Sequence, residues 1–125
     1  MKIKIKKIRE NALLPTRGSN GAALIEPRGL YRIPTGVAIA LPGPETVGLI
    51  FARSGLGVRH GVSLPNAVGV IDSDYRGELI VGIGNTGETS YLLSPGERFA
   101  QLVVMPVFQV ELLETDDLGE TVRGA

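Results

Sequence analysis

The chain has 125 residues, 13 Lys and Arg against 13 Asp and Glu, 43% hydrophobic residues and no cysteine. That length suggests one domain, residues 1–125, able to bury a core without staples. Without cysteine there is no disulfide scaffold, Cys zinc site or thiol nucleophile. A net charge of zero gives no global field for nucleic acid or an anionic membrane, so neither is expected as a partner.

The opening "MKIKIKKI" alternates lysine and isoleucine from Lys2 to Ile8. It predicts a strand with one apolar and one wet face, not a signal peptide, because it has no continuous apolar stretch. No apolar run is long enough to span a bilayer, and the cytoplasm is the expected location. "GVAIALP" (Gly36 to Pro42) and "TVGLIFA" (Thr46 to Ala52) read as strands separated by a "PGPE" turn. One helical turn fits "RSGLGVR" (Arg53 to Arg59), and its two glycines argue against more. Val68 to Ile71 and Glu78 to Ile83 read as the two arms of a hairpin, followed by a strand at Ser90 to Leu93. The last apolar run, Phe99 to Leu113, is interrupted by Pro106, which requires an edge, a bulge or a bend there. Many short strands with regular turn signals and little or no helix predict an all-β protein, a jelly-roll-like β-sandwich or barrel.

Three stretches carry polar chemistry. In "ARSGLG" (Ala52 to Gly57) an apolar strand gives way to Arg53, Ser54 and Gly55. Arginine can clamp a phosphate with paired donors, and glycine lets backbone approach a ligand. Read alone, the same residues make an ordinary turn. In "GERFAQL" (Gly96 to Leu102), Arg98 reads as a surface charge and Gln101 as a polar strand position. His60, the sole histidine, reads as a loop residue. No His or carboxylate set has the spacing of metal ligands, so no protein-built metal site is expected.

The third stretch is "IDSDYRGE", Ile71 to Glu78. Aspartate is disfavoured in strands. If Ile71 points into the core, alternation turns Asp72 outward. A carboxylate fixed there can serve as a general base, and the adjacent Tyr75 ring can stack on a sugar or base. The plainer alternative is a solvated turn in which Asp74 and Glu78 pair with Arg76 on the surface.

"ARSGLGVRHGV", "NAVGVIDSDYRGEL", "GERFAQL" and "ETVRGA" occur in this order, preceded by "LPTRGS" and "IPTGVAIALP". On these motifs the chain resembles the homotrimeric deoxyuridine triphosphatase (dUTPase) family over nearly its whole length. The resemblance implies a jelly-roll-like β-clip subunit with three active sites at subunit boundaries. The implied reaction converts dUTP to dUMP and pyrophosphate, with Mg²⁺ bound through the substrate phosphates. It implies that Asp72 orients and deprotonates the attacking water and binds the deoxyribose 3′-hydroxyl. Tyr75 would pack under the sugar and exclude a 2′-hydroxyl. Asn66 and backbone groups around Val70, Ile71 and Ile80 would read uracil. Arg53, Ser54 and Gly55 would hold phosphates, with Gln101 on a phosphate or a metal-bound water. Arg123 would reach the γ-phosphate from another subunit. Arg98 matches a motif without an assigned role. The long C-terminal apolar run also favours a trimer, as too apolar for an exposed edge.

The chain departs from the family in two places. The family's first motif ends in Ala-Gly-x-Asp-Leu, and its Asp helps hold hydrated Mg²⁺. "GSNGAALIEPRGLYRIPTG" (Gly18 to Gly36) contains no Asp. A stretch of roughly ten or more residues, about one strand with its turn, is absent between Ala23 and Leu24. The family also continues beyond "VRGA" into a glycine-rich tail whose phenylalanine closes over the base. An active parent protein carrying both pieces is the first expectation. The alternative is a catalytically impaired nucleotide-binding trimer. The chain as written is expected to recognise dUMP and to hydrolyse dUTP poorly. A deoxycytidine triphosphate deaminase shares the fold, and "IDSDYRG" argues against it.

Overall fold

The computed structural model describes residues 1–10 and 23–124. Among the described residues, ten strands and one helix follow in chain order: β1 (Lys4–Lys7), β2 (Ala23–Ile25), β3 (Leu30–Pro34), β4 (Val37–Ala40), β5 (Thr46–Ala52), α1 (Ser54–His60), β6 (Val62–Ser63), β7 (Gly69–Ile71), β8 (Ile80–Asn85), β9 (Tyr91–Leu93) and β10 (Ala100–Pro106). All recorded strand pairs are antiparallel. They form small sheets with the orders β1-β4, β10-β5-β7, β2-β9 and β3-β8-β6, the short-stranded pattern of a jelly roll.

β5 shows why the sequence folds this way. Thr46, Gly48 and Ile50 are buried while their neighbours are half-exposed, the period-two alternation of a strand with one face on the core. The larger core cluster gathers Ile25, Ile50, Leu56, Ile83, Leu93 and Phe99 with their neighbours. A smaller one joins Val37, Ile39, Leu41 and Leu79. Ile71 and Leu102 pack against both, so the residue before Asp72 is anchored where the two clusters meet. The apolar face expected of the N-terminal strand reduces to Ile3, which packs on the smaller cluster, since β1 itself is exposed throughout.

Three local expectations are corrected. The helix is seven residues long, not one turn. Leu56 is buried in the larger cluster, and Gly61 ends the helix in the left-handed conformation at φ 70°. Burial and a good C-cap outweigh two helix-weakening glycines. Second, the strands flanking the acidic stretch do not pair as a hairpin. β7 pairs with β5, whereas β8 lies between β3 and β6. The segment 72–79 is therefore a loop crossing between two sheets. Third, Arg76 does not pair with Asp74 or Glu78. It donates to the carbonyls of Ser73 at 2.7 Å and Tyr75 at 3.0 Å, bracing the loop from within.

The last apolar run behaves as its proline requires: β10 ends at Pro106, and residues 107–124 follow without strand or helix, exposed throughout. Among the described residues no helix is long and apolar enough to cross a membrane.

Candidate active site

Arg53 follows the last residue of β5, and Ser54 and Gly55 open α1. Gln101 enters from β10, pairs in register with Phe51 and donates to the Ala52 carbonyl at 2.9 Å. The antiparallel register thus brings two distant motifs to one sheet end. Together they line a cavity of about 310 Å³ with Leu56, Arg59 and His60. Two arginines, a hydroxyl, an amide and a histidine around so small a space suit an anion with many oxygens.

Arg59 and His60 were not expected in this company. Their signal is the helix: seven residues after Arg53, His60 returns to nearly the same face. That signal is legible only once the helix is known to run its full length. The His60 ring packs against Tyr91, tilted by 50° with ring centroids 4.7 Å apart. The Tyr91 hydroxyl donates to the Glu97 carboxylate, which pushes the phenol up to about 12, with burial adding to the shift. Glu97 also accepts from the Ser94 amide at 2.9 Å, so the "SPGE" turn steadies the ring packed against the histidine.

A second, mostly apolar cavity of about 440 Å³ adjoins the first. Arg53 and Gln101 line both, and Arg98 joins them in the larger one. Ile3, Val37 and Leu102 are among its apolar walls.

The other predicted residues lie elsewhere. Asn66 is exposed in the turn before β7, its amide 3.4 Å from the Val68 carbonyl. Val70 and Ile71 are on β7, and Val70 is 62% exposed. Among the described residues β7 is an edge strand paired only with β5, with one line of its backbone N–H and C=O groups outside that pairing. Asp72 is exposed directly after it, with Ile71 half-buried, as alternation requires. Tyr75 and Ile80 are 43% and 42% exposed. The Tyr75 hydroxyl donates to the Glu78 carbonyl at 2.9 Å.

The register separates these two groups. Ile71 pairs with Gly48, and Arg53 lies five residues further along β5. At ~3.3 Å per residue that is on the order of 17 Å, with Asp72 one residue beyond. One chain therefore presents the Arg53–His60 cavity at one end of β5 and the Asp72–Tyr75 loop near the other. Arg123 joins neither: it is exposed in the turn closed by the Gly124 amide on the Thr121 carbonyl at 3.0 Å. Among the described residues no group of three or more His, Asp or Glu side chains could hold a metal ion. Residues 18–22 of the first-motif region and all of "LPTRGS" lie outside the described residues.

A family model for dUTPase matches residues 18–125. The deoxyuridine 5′-triphosphate nucleotidohydrolase of Ralstonia pickettii (strain 12J) is 47% identical over 135 positions, covering 98% of this chain and 91% of its own. Those positions outnumber the 125 residues here, so that relative has at least ten without a counterpart. A nucleotidohydrolase of the same name from Acinetobacter baumannii (strain AYE) is 50% identical over 101 residues, 81% of this chain and 67% of its own. Among solved structures, the Staphylococcus bacteriophage 80alpha dUTPase with dUPNHPP superposes with a TM-score of 0.90 at 25% identity, covering 98% of this chain and 94% of that one. The motifs, the jelly-roll strands and these matches agree, and the chain belongs to the dUTPase family.

Proposed function

We propose that this chain, folded as one domain over residues 1–125, hydrolyses dUTP to dUMP and pyrophosphate at sites shared between the chains of a homotrimer. The carrying observation is the separation along β5. Asp72 and Arg53 lie toward opposite ends of β5 within a chain, and two copies can bring the loop of one to the pocket of the other. The exposed apolar side chains Phe108, Val110, Leu112 and Leu113 support assembly, as more apolar surface than a monomer leaves wet.

In this reading Arg53, Ser54, Gly55 and Gln101 hold the triphosphate, which carries its own Mg²⁺. Arg123, on the C-terminal segment, closes on the γ-phosphate from a further chain. The outer edge of β7 at Val70 and Ile71, with Asn66 and Ile80, reads the peptide-like edge of uracil. Tyr75 lies under the sugar, and the Asp72 carboxylate holds the 3′-hydroxyl and a water. The water oxygen bonds to the α-phosphorus, the bond to the bridging oxygen breaks, pyrophosphate leaves, and Asp72 takes the water's proton. Positioning and charge neutralisation supply the rate.

Asp72→Asn tests this directly. It should lower turnover by at least ~10²-fold, within the range for losing a general base, while dUMP binding measured by calorimetry stays near wild type. Unchanged turnover would remove Asp72 from the mechanism. A second reading, a nucleotide-binding trimer with impaired catalysis, is favoured by the absence of Asp from residues 18–36. Inserting the family's first-motif segment separates the two: a large gain in turnover favours the impaired form, and no gain favours the competent one.

A further inference from the structure

We propose that Glu78 is a positioning residue that sets sugar discrimination by holding Tyr75 in place. This rests on the reading of Tyr75 as the surface under the deoxyribose.

Glu78 has three attachments at the root of the acidic loop. Its backbone carbonyl accepts the Tyr75 hydroxyl at 2.9 Å. One carboxylate oxygen accepts the Gly36 amide at 2.7 Å. The other accepts the Arg9 guanidinium at 2.9 Å. The guanidinium lowers the Glu78 carboxyl below the usual carboxylate range, and the Gly36 amide adds to this, so the charged, hydrogen-bonded form prevails at neutral pH. Charge-assisted bonds of this kind are the stronger ones.

The next residue is held by the same turn. Leu79 donates its amide to Val37 at 2.8 Å, and its carbonyl accepts both the amide (3.1 Å) and the hydroxyl (2.7 Å) of Thr35. Gly36 in turn accepts the Ile8 amide at 2.6 Å. The β3–β4 turn, the end of the N-terminal strand and the loop root thus form one hydrogen-bonded knot. The Tyr75 ring lies across Gly77, where a Cβ would come 2.5 Å from the phenol oxygen and 2.7 Å from Cζ. The ring is fixed from below by a bare glycine backbone and at its tip by Glu78. Its height and tilt follow from where Glu78 is pinned, and they decide whether a 2′-hydroxyl fits.

The test is the preference for dUMP over UMP, measured by calorimetry on the wild-type chain and on Glu78→Ala, Glu78→Gln and Arg9→Ala. Glu78→Ala should reduce the preference roughly tenfold, mainly by admitting UMP. Glu78→Gln keeps an oxygen for the Gly36 amide and should stay within roughly threefold of wild type. Arg9→Ala should lie between them. Tyr75→Phe should reduce the preference as well, and the double variant with Glu78→Ala should lose no more than the larger single loss, since both act through one contact. A folded Glu78→Ala that keeps the wild-type preference overturns the proposal while leaving the site reading intact. If Glu78→Ala does not fold, an unchanged preference in Arg9→Ala overturns it instead. A wild-type chain that binds dUMP and UMP equally overturns the site reading, and the proposal with it.

Discussion

Gly55 sits in a helix with nothing within 4 Å of where its Cβ would be. Packing gives no reason for glycine, and helix propensity disfavours it against alanine by ~1 kcal/mol. Close approach of a phosphate would supply the reason. Gly55→Ala should therefore raise stability by up to ~1 kcal/mol and weaken dUPNHPP binding by roughly tenfold or more, the scale of one misplaced methyl group in a fitted pocket. Thermal melting and calorimetry check the two halves, and unchanged affinity takes Gly55 out of the site. Tyr91 makes a pH prediction. Its phenol holds its proton to about 12, beside Glu97, against an ordinary 10.0. Between those values the folded chain keeps a proton that the unfolded chain has released, so stability should fall as pH rises through that window. Tyr91→Phe should flatten the fall and remove the step near 12 from the tyrosinate absorbance titration. At this scale the sequence was informative about single motifs: alternation placed Asp72 outward, while the Arg-Ser-Gly run, an ordinary turn when read alone, lines a cavity. It offered Arg76 as a partner for Glu78, whereas the residue that pairs with it, Arg9, is 69 residues away.

Among elements, the strands were legible wherever alternation or a breaker spoke. Thr46 to Ala52 is β5 to the residue, and Pro106 is the last residue of β10. Pairing was not legible. Apolar runs on either side of a short polar stretch read as a hairpin, yet β7 and β8 went to different sheets, because partners are chosen by packing across the whole fold. Helix α1 escaped for a related reason: its glycines are local, and the buried Leu56 that anchors it is tertiary. Asn85 shows how elements are tied at such junctions. Fully buried, it donates to the carbonyls of Ile25 at 2.9 Å and Thr89 at 2.8 Å and accepts the Gly87 amide at 2.8 Å, joining β8 to β2 and the following turn. Asn85→Ala leaves those groups without partners and should cost about 2–4 kcal/mol in denaturant unfolding, since each buried unpaired group costs ~1–3 kcal/mol. A loss under ~0.5 kcal/mol, the size expected of an ordinary surface change, would mean water replaces the amide.

For the whole molecule, the decisive quantity is the length of one strand. β5 carries the phosphate-type pocket at its end and Ile71, the neighbour of Asp72, paired at Gly48. In the proposed function each end carries half a site, and two copies complete it. Arg53→Ala and Asp72→Asn each disable one half. Unfolded together in equal amounts and refolded, they should form assemblies in which about a quarter of the interfaces join an intact pocket to an intact loop, if chains mix at random. This mixture should recover about a quarter of wild-type dUTP turnover, whereas either variant refolded alone should give almost none. Turnover of the mixture no higher than that of the separate variants would contradict it.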